Sequence, residues 1–275
     1  MDQRVSDERV TVEIRDGVAD VRLVRADKMN ALDDAMFSAL IDTGERLKTE
    51  AGVRAVVLSG EGRAFCAGLD MGSFQQMASG ARGQGGGGEG LLTAKRTEGG
   101  SNRAQHACMV WREIPVPVIG AVHGVAFGGG FQLALGCDLR FVTPDVKLAV
   151  LEIKWGLVPD MAGMVLMRGL VRDDVARELT WTGRIFGGEE AVAIGLATRV
   201  CADPHAEALA LAAEIAGKNP QAIRAGKRLL NLAAEADQHT VLREESREQG
   251  ALIGSPNQVE AVMANLQKRS PQFAD

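Results

Sequence analysis

Apolar and polar residues alternate along Val10-Thr11-Val12-Glu13-Ile14, and again at Ala19, Val21 and Leu23, with Asp16-Gly17 between them. A period of two on both sides of such a pair predicts a β-hairpin. The period then changes. Leu32, Met36, Phe37, Leu40, Ile41 and Leu47 recur at helical spacing, which predicts a helix over 31–47 with Asn30 as its N-cap. The run 53–58 reads as a short buried strand ending at Ser59-Gly60. Another strand is expected over 116–122, with Pro117 at its end or edge. A helix should follow Gly130 through Phe131 to Leu135, and 140–142 and 147–150 read as two more strands. This strand–helix–strand rhythm predicts an α/β core with crossover connections. Beyond about residue 200 the pattern is helical only: 205–218, 221–235 and 257–269 are rich in alanine and leucine. The expected organisation is an α/β core over 1–200 and a C-terminal helical region over 201–275.

Length agrees with that division, since 275 residues fit one core of roughly 200 residues plus a tail. A net charge of -5, spread without long blocks, argues against a nucleic-acid partner. No apolar run approaches the roughly 20 residues that span a bilayer, and residues 1–10 are polar. No membrane partner and a cytoplasmic location are therefore expected. Cys66, Cys108, Cys137 and Cys201 form no C-x-x-C pair and have no histidine at ligand spacing, which predicts reduced, mostly buried thiols and no metal site. The segment 80–100 holds Gly85 to Gly88, Gly90, Gly99 and Gly100. It lacks both phosphate-loop patterns, so a flexible surface loop or flap over a nearby site is favoured over a phosphate cradle.

Two loops carry candidate chemistry. Gly62-Arg63-Ala64-Phe65-Cys66-Ala67-Gly68-Leu69-Asp70-Met71 follows a strand, and its small residues let a ligand approach the backbone. In Ala121-Val122-His123-Gly124-Val125-Ala126-Phe127-Gly128-Gly129-Gly130-Phe131-Gln132, a strand runs through three glycines into a helix start, where N–H groups are unpaired. The first alone is equally a tight glycine turn, and for the second such a turn is the lesser reading. In this order, roughly 60 residues apart, they resemble the paired loops of the crotonase superfamily of enoyl-CoA hydratases and isomerases. Asp27-Lys28-Met29-Asn30-Ala31-Leu32 is similar to that family's early CoA-binding segment. Leu151-Glu152-Ile153-Lys154-Trp155-Gly156-Leu157-Val158-Pro159-Asp160 is similar to its second catalytic segment. The likeness continues through Leu179 to Arg184, Ala191 to Val200, Asn219-Pro220 and Lys268 to Phe273.

The resemblance implies the crotonase (ClpP-like) fold, a twisted β core wrapped by helices, and a homotrimer or homohexamer whose tail helps cover a CoA site. It implies an acyl-CoA thioester as substrate and no cofactor beyond the coenzyme A that the substrate carries. It places the thioester oxygen on the N–H groups of Leu69 and Gly129, and CoA along Lys28, Ala31, Ala64, Ala67 and Asp70. Removing a thioester α-proton creates an enolate, and fixed donors favour that charge over the neutral ground state, each worth ~3 kcal/mol.

Acid–base residues then choose the reaction. The family's hydratases carry one glutamate two residues after the glycine triplet and a second in the later segment. Here those positions hold Gln132 and Glu152. An amide cannot exchange protons near neutral pH, and a missing general acid or base costs ~10²–10⁴ in rate. Double-bond isomerisation is therefore expected, with Glu152 as proton-transfer residue and Gln132 as polar positioner. Asp160, eight residues on, matches an aspartate of the family's dienoyl-CoA isomerases and is a second candidate. A weak or specialised hydratase and a non-catalytic acyl-CoA-binding protein are the alternatives. Asp160 would serve equally as a helix cap and Gln132 as an ordinary helix residue, whereas a cap or surface charge is the lesser reading of Glu152. Met71, Met77, Met161 and Met164 suit an adaptable acyl pocket or simple packing. Trp111, Trp155 and Trp181 are expected in the core or an interface.

Overall fold

The alternating start of the chain forms the expected hairpin. In the computed structural model, which describes residues 3–6 (backbone alone), 9–72, 91–92 and 94–275, β1 (Gln3–Ser6) and β3 (Val18–Leu23) flank β2 (Val10–Arg15), all antiparallel. The β2–β3 turn residues Asp16 and Gly17 both have left-handed φ, 48° and 79°, as a tight hairpin connection requires. The chain then runs through β4 (Ala55–Gly60), β5 (Val118–Val122), β6 (Val125–Phe127), β7 (Leu139–Val142), β8 (Lys147–Ala149) and β9 (Arg199–Val200). The main sheet has the order β1-β2-β3-β4-β5-β7-β9, parallel from β3 onward. A second, two-stranded sheet pairs β6 with β8. Pro117 lies just outside β5, where its missing N–H costs nothing, and its carbonyl accepts from Val56.

Both faces of the central strands are buried, which explains their near-continuous apolar sequence. Val56, Leu58, Val118 and Val122 face the larger core, with Met36, Phe37 and Leu40 of α1 (Asp34–Thr49), Val110 and Trp111 of α2 (Arg103–Glu113), and Phe131 and Leu133 of α3 (Gly129–Leu135). Ala55, Val57, Ile119 and Phe141 face a smaller core on the other side. After α4 (Gly163–Met167), α5 (Asp173–Thr182) and α6 (Gly188–Ala193), the first helix of the tail, α7 (Pro204–Ala216), packs on that smaller core. Its Ala208, Ala212 and Ala216, spaced at i and i+4, form one narrow stripe against the sheet. Then follow α8 (Pro220–Ala233), α9 (Gln238–Leu252) and α10 (Pro256–Leu266). Asp203-Pro204, Asn219-Pro220 and Ser255-Pro256 open α7, α8 and α10 alike, a side-chain cap followed by proline at N1.

Two expectations need correction. Asn30 does not cap α1. It has φ 54° and is buried, accepting from Arg25 N at 2.9 Å and donating to Glu61 O at 3.0 Å and Ala64 O at 2.8 Å. The helix starts later, where Asp33 accepts from Met36 N at 2.8 Å. Helix α9 was not legible because it has no sustained apolar stripe. It is tied to α8 instead by Glu248, which accepts from Arg228 at 3.0 and 2.7 Å. Most of 80–100, and Met77, lie outside the described residues. Gly99 and Gly100 do not, and they close a turn in which Gly100 N donates to Thr97 O at 2.9 Å.

Candidate active site

The stretch from Cys66 to Asp70 threads between two neighbours. Cys66 pairs with β6, donating to Val125 O at 3.1 Å and accepting from Phe127 N at 3.2 Å. Ala67 N turns to the other side and donates to Met29 O at 2.9 Å. In a regular strand Gly68 would face β6 again. Instead its carbonyl accepts from Leu32 N at 2.8 Å, because Gly68 has φ 89° and reverses the alternation. Asp70 N donates to Leu32 O at 3.0 Å. Leu69, between these two bonds in a parallel bridge to Leu32, therefore turns its own N–H away from Leu32, toward the β6 side.

Gly129 waits on that side. It is the first residue of α3, so its N–H has no partner within the helix. An atom added as Cβ on Gly68 would lie 3.6 Å from Gly129 N and 2.5 Å from Phe127 O, so the two loops meet at backbone distance. Among the described residues, neither the Leu69 nor the Gly129 N–H has a hydrogen-bond partner. Both residues line one cleft, together with Glu152 and Asp160. Phe37, Leu91, Ala104, Trp155 and Met161 make much of its wall apolar.

Glu152 opens a 3-10 turn, Glu152–Trp155. Its Oε1 accepts from Gln132 Nε2 at 2.6 Å, while its Oε2 is buried without a partner among the described residues. Burial raises the carboxyl above its usual range, nearby Asp160 adds to the rise, and the Gln132 bond opposes it. Gln132 is itself buried, and its amide orientation is dictated. Oε1 accepts from Met161 N at 2.9 Å and Gly163 N at 2.8 Å, so Nε2 must face Glu152. These two backbone donors flank Ala162, a non-glycine residue held at φ 69°.

The structure thus gathers Leu69, Gly129, Glu152 and Asp160 around one cleft, with Gln132 bonded to Glu152. Of the residues expected at CoA, Ala67 lines the cleft. Ala31 and Ala64 are buried, and Lys28 is exposed at the end of the turn Ala26–Lys28. The Asp70 carboxylate has two protein partners, Arg25 Nη1 at 2.8 Å and Gly72 N at 2.8 Å. Met71 and Met161 line the cleft, whereas Met164 belongs to a neighbouring hollow with Trp181. Trp111 is core, as expected, but Trp155 is half-exposed on the cleft wall and Trp181 is exposed. Sequence reasoning missed Arg25 and the Met161 and Gly163 donors. A lone arginine and a backbone N–H leave no periodic signal. Elsewhere, Glu45, His106 and Glu113 bring ligand atoms within 4.8 Å of one another. Lys48 Nζ bonds Glu45 at 2.8 Å and Glu113 at 2.6 Å, so both carboxylates already have a cationic partner. The four thiols are free, and burial pushes Cys66 up to about 12.

Residues 13–275 match the family described as Enoyl-CoA hydratase/isomerase. A Bacillus subtilis protein named as a probable enoyl-CoA hydratase is 32% identical over 248 residues, covering 89% of this chain and 90% of the relative. The mouse mitochondrial delta(3,5)-delta(2,4)-dienoyl-CoA isomerase is 31% identical over 261 residues, covering 92% and 77%. The crystal structure of an enoyl-CoA hydratase from Bacillus anthracis superposes with a TM-score of 0.84 at 26% identity, covering 97% of this chain and 99% of that one.

Proposed function

The chain belongs to the enoyl-CoA hydratase/isomerase family, and from that footing we propose that it shifts a double bond in an enoyl- or dienoyl-CoA through a thioester enolate held by Leu69 and Gly129. Relatives of comparable identity include both hydratases and a dienoyl-CoA isomerase, so likeness leaves the reaction open. The observation that favours isomerisation is the clamped amide. Gln132 spends its carbonyl on Met161 and Gly163 and its Nε2 on Glu152 Oε1, leaving Glu152 Oε2 as the one oxygen of the pair able to carry a proton.

In this reading the thioester carbonyl accepts from the two N–H groups and becomes more acidic at the adjacent carbon. Glu152 Oε2 removes a proton there, or at the vinylogous position, and returns it elsewhere along the conjugated system. The negative charge stays on the oxygen, where fixed donors are worth most. Water need not add, so no second general acid is required. Asp160, which lines the same cleft, serves a longer conjugated system by giving or taking the distal proton. CoA runs past Ala67 toward Lys28, whose ammonium suits its phosphates, while the buried Ala31 and Ala64 shape the backbone beneath, and Asp70 anchors the donor loop. The tail from 201 onward serves trimer formation. Since α7 is spent on the sheet, α8, α9 and α10 supply those contacts.

The test compares crotonyl-CoA hydration with isomerisation of 3-enoyl-CoA and 3,5-dienoyl-CoA. Isomerisation should dominate, and Glu152→Gln should lower it by ~10²–10⁴. Robust hydration without isomerisation would overturn the proposal. Turnover unchanged in Glu152→Gln would remove Glu152 from the chemistry.

A further inference from the structure

We propose that Arg25 is a positioning residue for the oxyanion donor: its guanidinium fixes, through Asp70, the direction of the Leu69 N–H. The inference rests on the enolate reading above. Arg25 follows β3 and lies largely buried, with its side chain 15% exposed. Nη1 donates to Ala31 O at 2.9 Å and to Asp70 Oδ2 at 2.8 Å, and Nη2 lies 3.5 Å from Asp33 Oδ2. Ala31 precedes Leu32 and Asp70 follows Leu69, so one planar group grips both strands of the Leu32–Leu69 bridge.

That grip matters because the bridge itself is slight. It consists of two bonds, Leu32 N to Gly68 O and Asp70 N to Leu32 O. The Gly68–Leu69 peptide, which carries the Leu69 N–H, is held to Leu32 by one bond alone, through Gly68 O, and one bond lets a peptide rock about the chain axis. Beyond Asp70 the carboxylate is held a second time, by Gly72 N on Oδ1, so Asp70 cannot swing while Arg25 stays in place. A guanidinium is rigid and forked, which makes it suited to hold two acceptors at one fixed separation. Arg25 does not line the cleft and so does not touch the acyl group. Its charge is already matched by Asp33 and Asp70, which argues against a CoA phosphate as its purpose.

The consequence is a separation of binding from enolate stabilisation. A donor displaced by about 1 Å still admits the ligand but loses up to ~10²-fold in rate. The experiment uses the full chain with three probes: butyryl-CoA for binding, acetoacetyl-CoA for the near-ultraviolet absorbance of its bound enolate, and the isomerisation substrate for kcat. Arg25→Met should keep the Kd for butyryl-CoA close to wild type, lose most of the enolate absorbance, and lower kcat about 10- to 100-fold. Asp70→Asn keeps the arginine and its bonds to Ala31 and Asp33, and tests the link itself. It should lose the same absorbance to a smaller extent, which covers the case in which Arg25→Met fails to fold. Absorbance and kcat retained in both variants would overturn the inference alone. So would a rise in the butyryl-CoA Kd with kcat and absorbance kept, which would make Arg25 a CoA contact. No enolate absorbance in the wild type would overturn the oxyanion reading and this inference with it.

Discussion

Glu152 holds one oxygen against Gln132 and the other bare in a buried site, and two measurable effects follow. In the proposed role of base it must be ionised, and burial raises its pKa. The rate should therefore climb with pH through a midpoint above the usual glutamate value of about 4.3, and Glu152→Gln should abolish that limb in a pH–rate profile. Stability moves the other way. Between the unfolded pKa and the raised folded one, the native state binds more protons than the unfolded state, so stability falls as pH rises through that window. Glutamine does not ionise, so Glu152→Gln should melt at a higher temperature than wild type near pH 7 and lose that advantage near pH 4, as thermal melts at the two values would show. The residue types at 132, 152 and 160 were legible in the sequence. Their bonding was not, because which way the Gln132 amide points depends on two backbone donors some 30 positions later in the chain.

At the scale of elements, the turn Met161-Ala162-Gly163 is the part that most directly sets the site. Ala162 sits at φ 69° so that the N–H groups on either side converge on one oxygen. A methyl group on Gly163 would meet Gln132 Oε1 at 2.7 Å and its Cγ at 2.9 Å. Gly163→Ala should displace the amide, loosen Glu152 and lower kcat by about tenfold or more. Its denaturation midpoint should move little, since alanine is favoured over glycine in a helix by about 1 kcal/mol and offsets part of the strain. Strong periodicity made most elements readable: the hairpin, the buried strands and the alanine-rich helices all announce themselves. The start of α1 is not readable from sequence because Asn30 and Asp33 are both good cap residues, and only the buried bonds to Glu61 and Ala64 take Asn30 out of that role.

For the whole molecule, a buried cation adds to the packing that holds the helical tail of the crotonase fold on its core. Lys227 of α8, 7% exposed, donates to Val116 O at 2.9 Å and Asp138 Oδ2 at 2.6 Å. Asp138 also accepts from Val118 N at 2.7 Å at the start of β5. Removing one partner of such a pair strands the other, so Lys227→Met should cost about 3 kcal/mol in urea unfolding, and adding Asp138→Asn should restore part of it. Architecture was legible at this scale because the loop motifs occur together along nearly the full chain. The attachment of α7 to the sheet was not. Its stripe of Ala208, Ala212 and Ala216 says that something packs closely there without saying what.

The reversal at Gly68 bears on how this site could be lost. An L-residue there is pushed out of the left-handed region and toward the regular alternation of a strand. In that alternation the Leu69 amide would turn from the cleft toward Leu32, and the segment would come closer to an ordinary strand between two partners. The cleft would lose a donor, and Leu32 N would lose its bond to Gly68 O. One position thus carries both the donor and the fit of the two loops, since any side chain there would also put its Cβ 2.5 Å from Phe127 O.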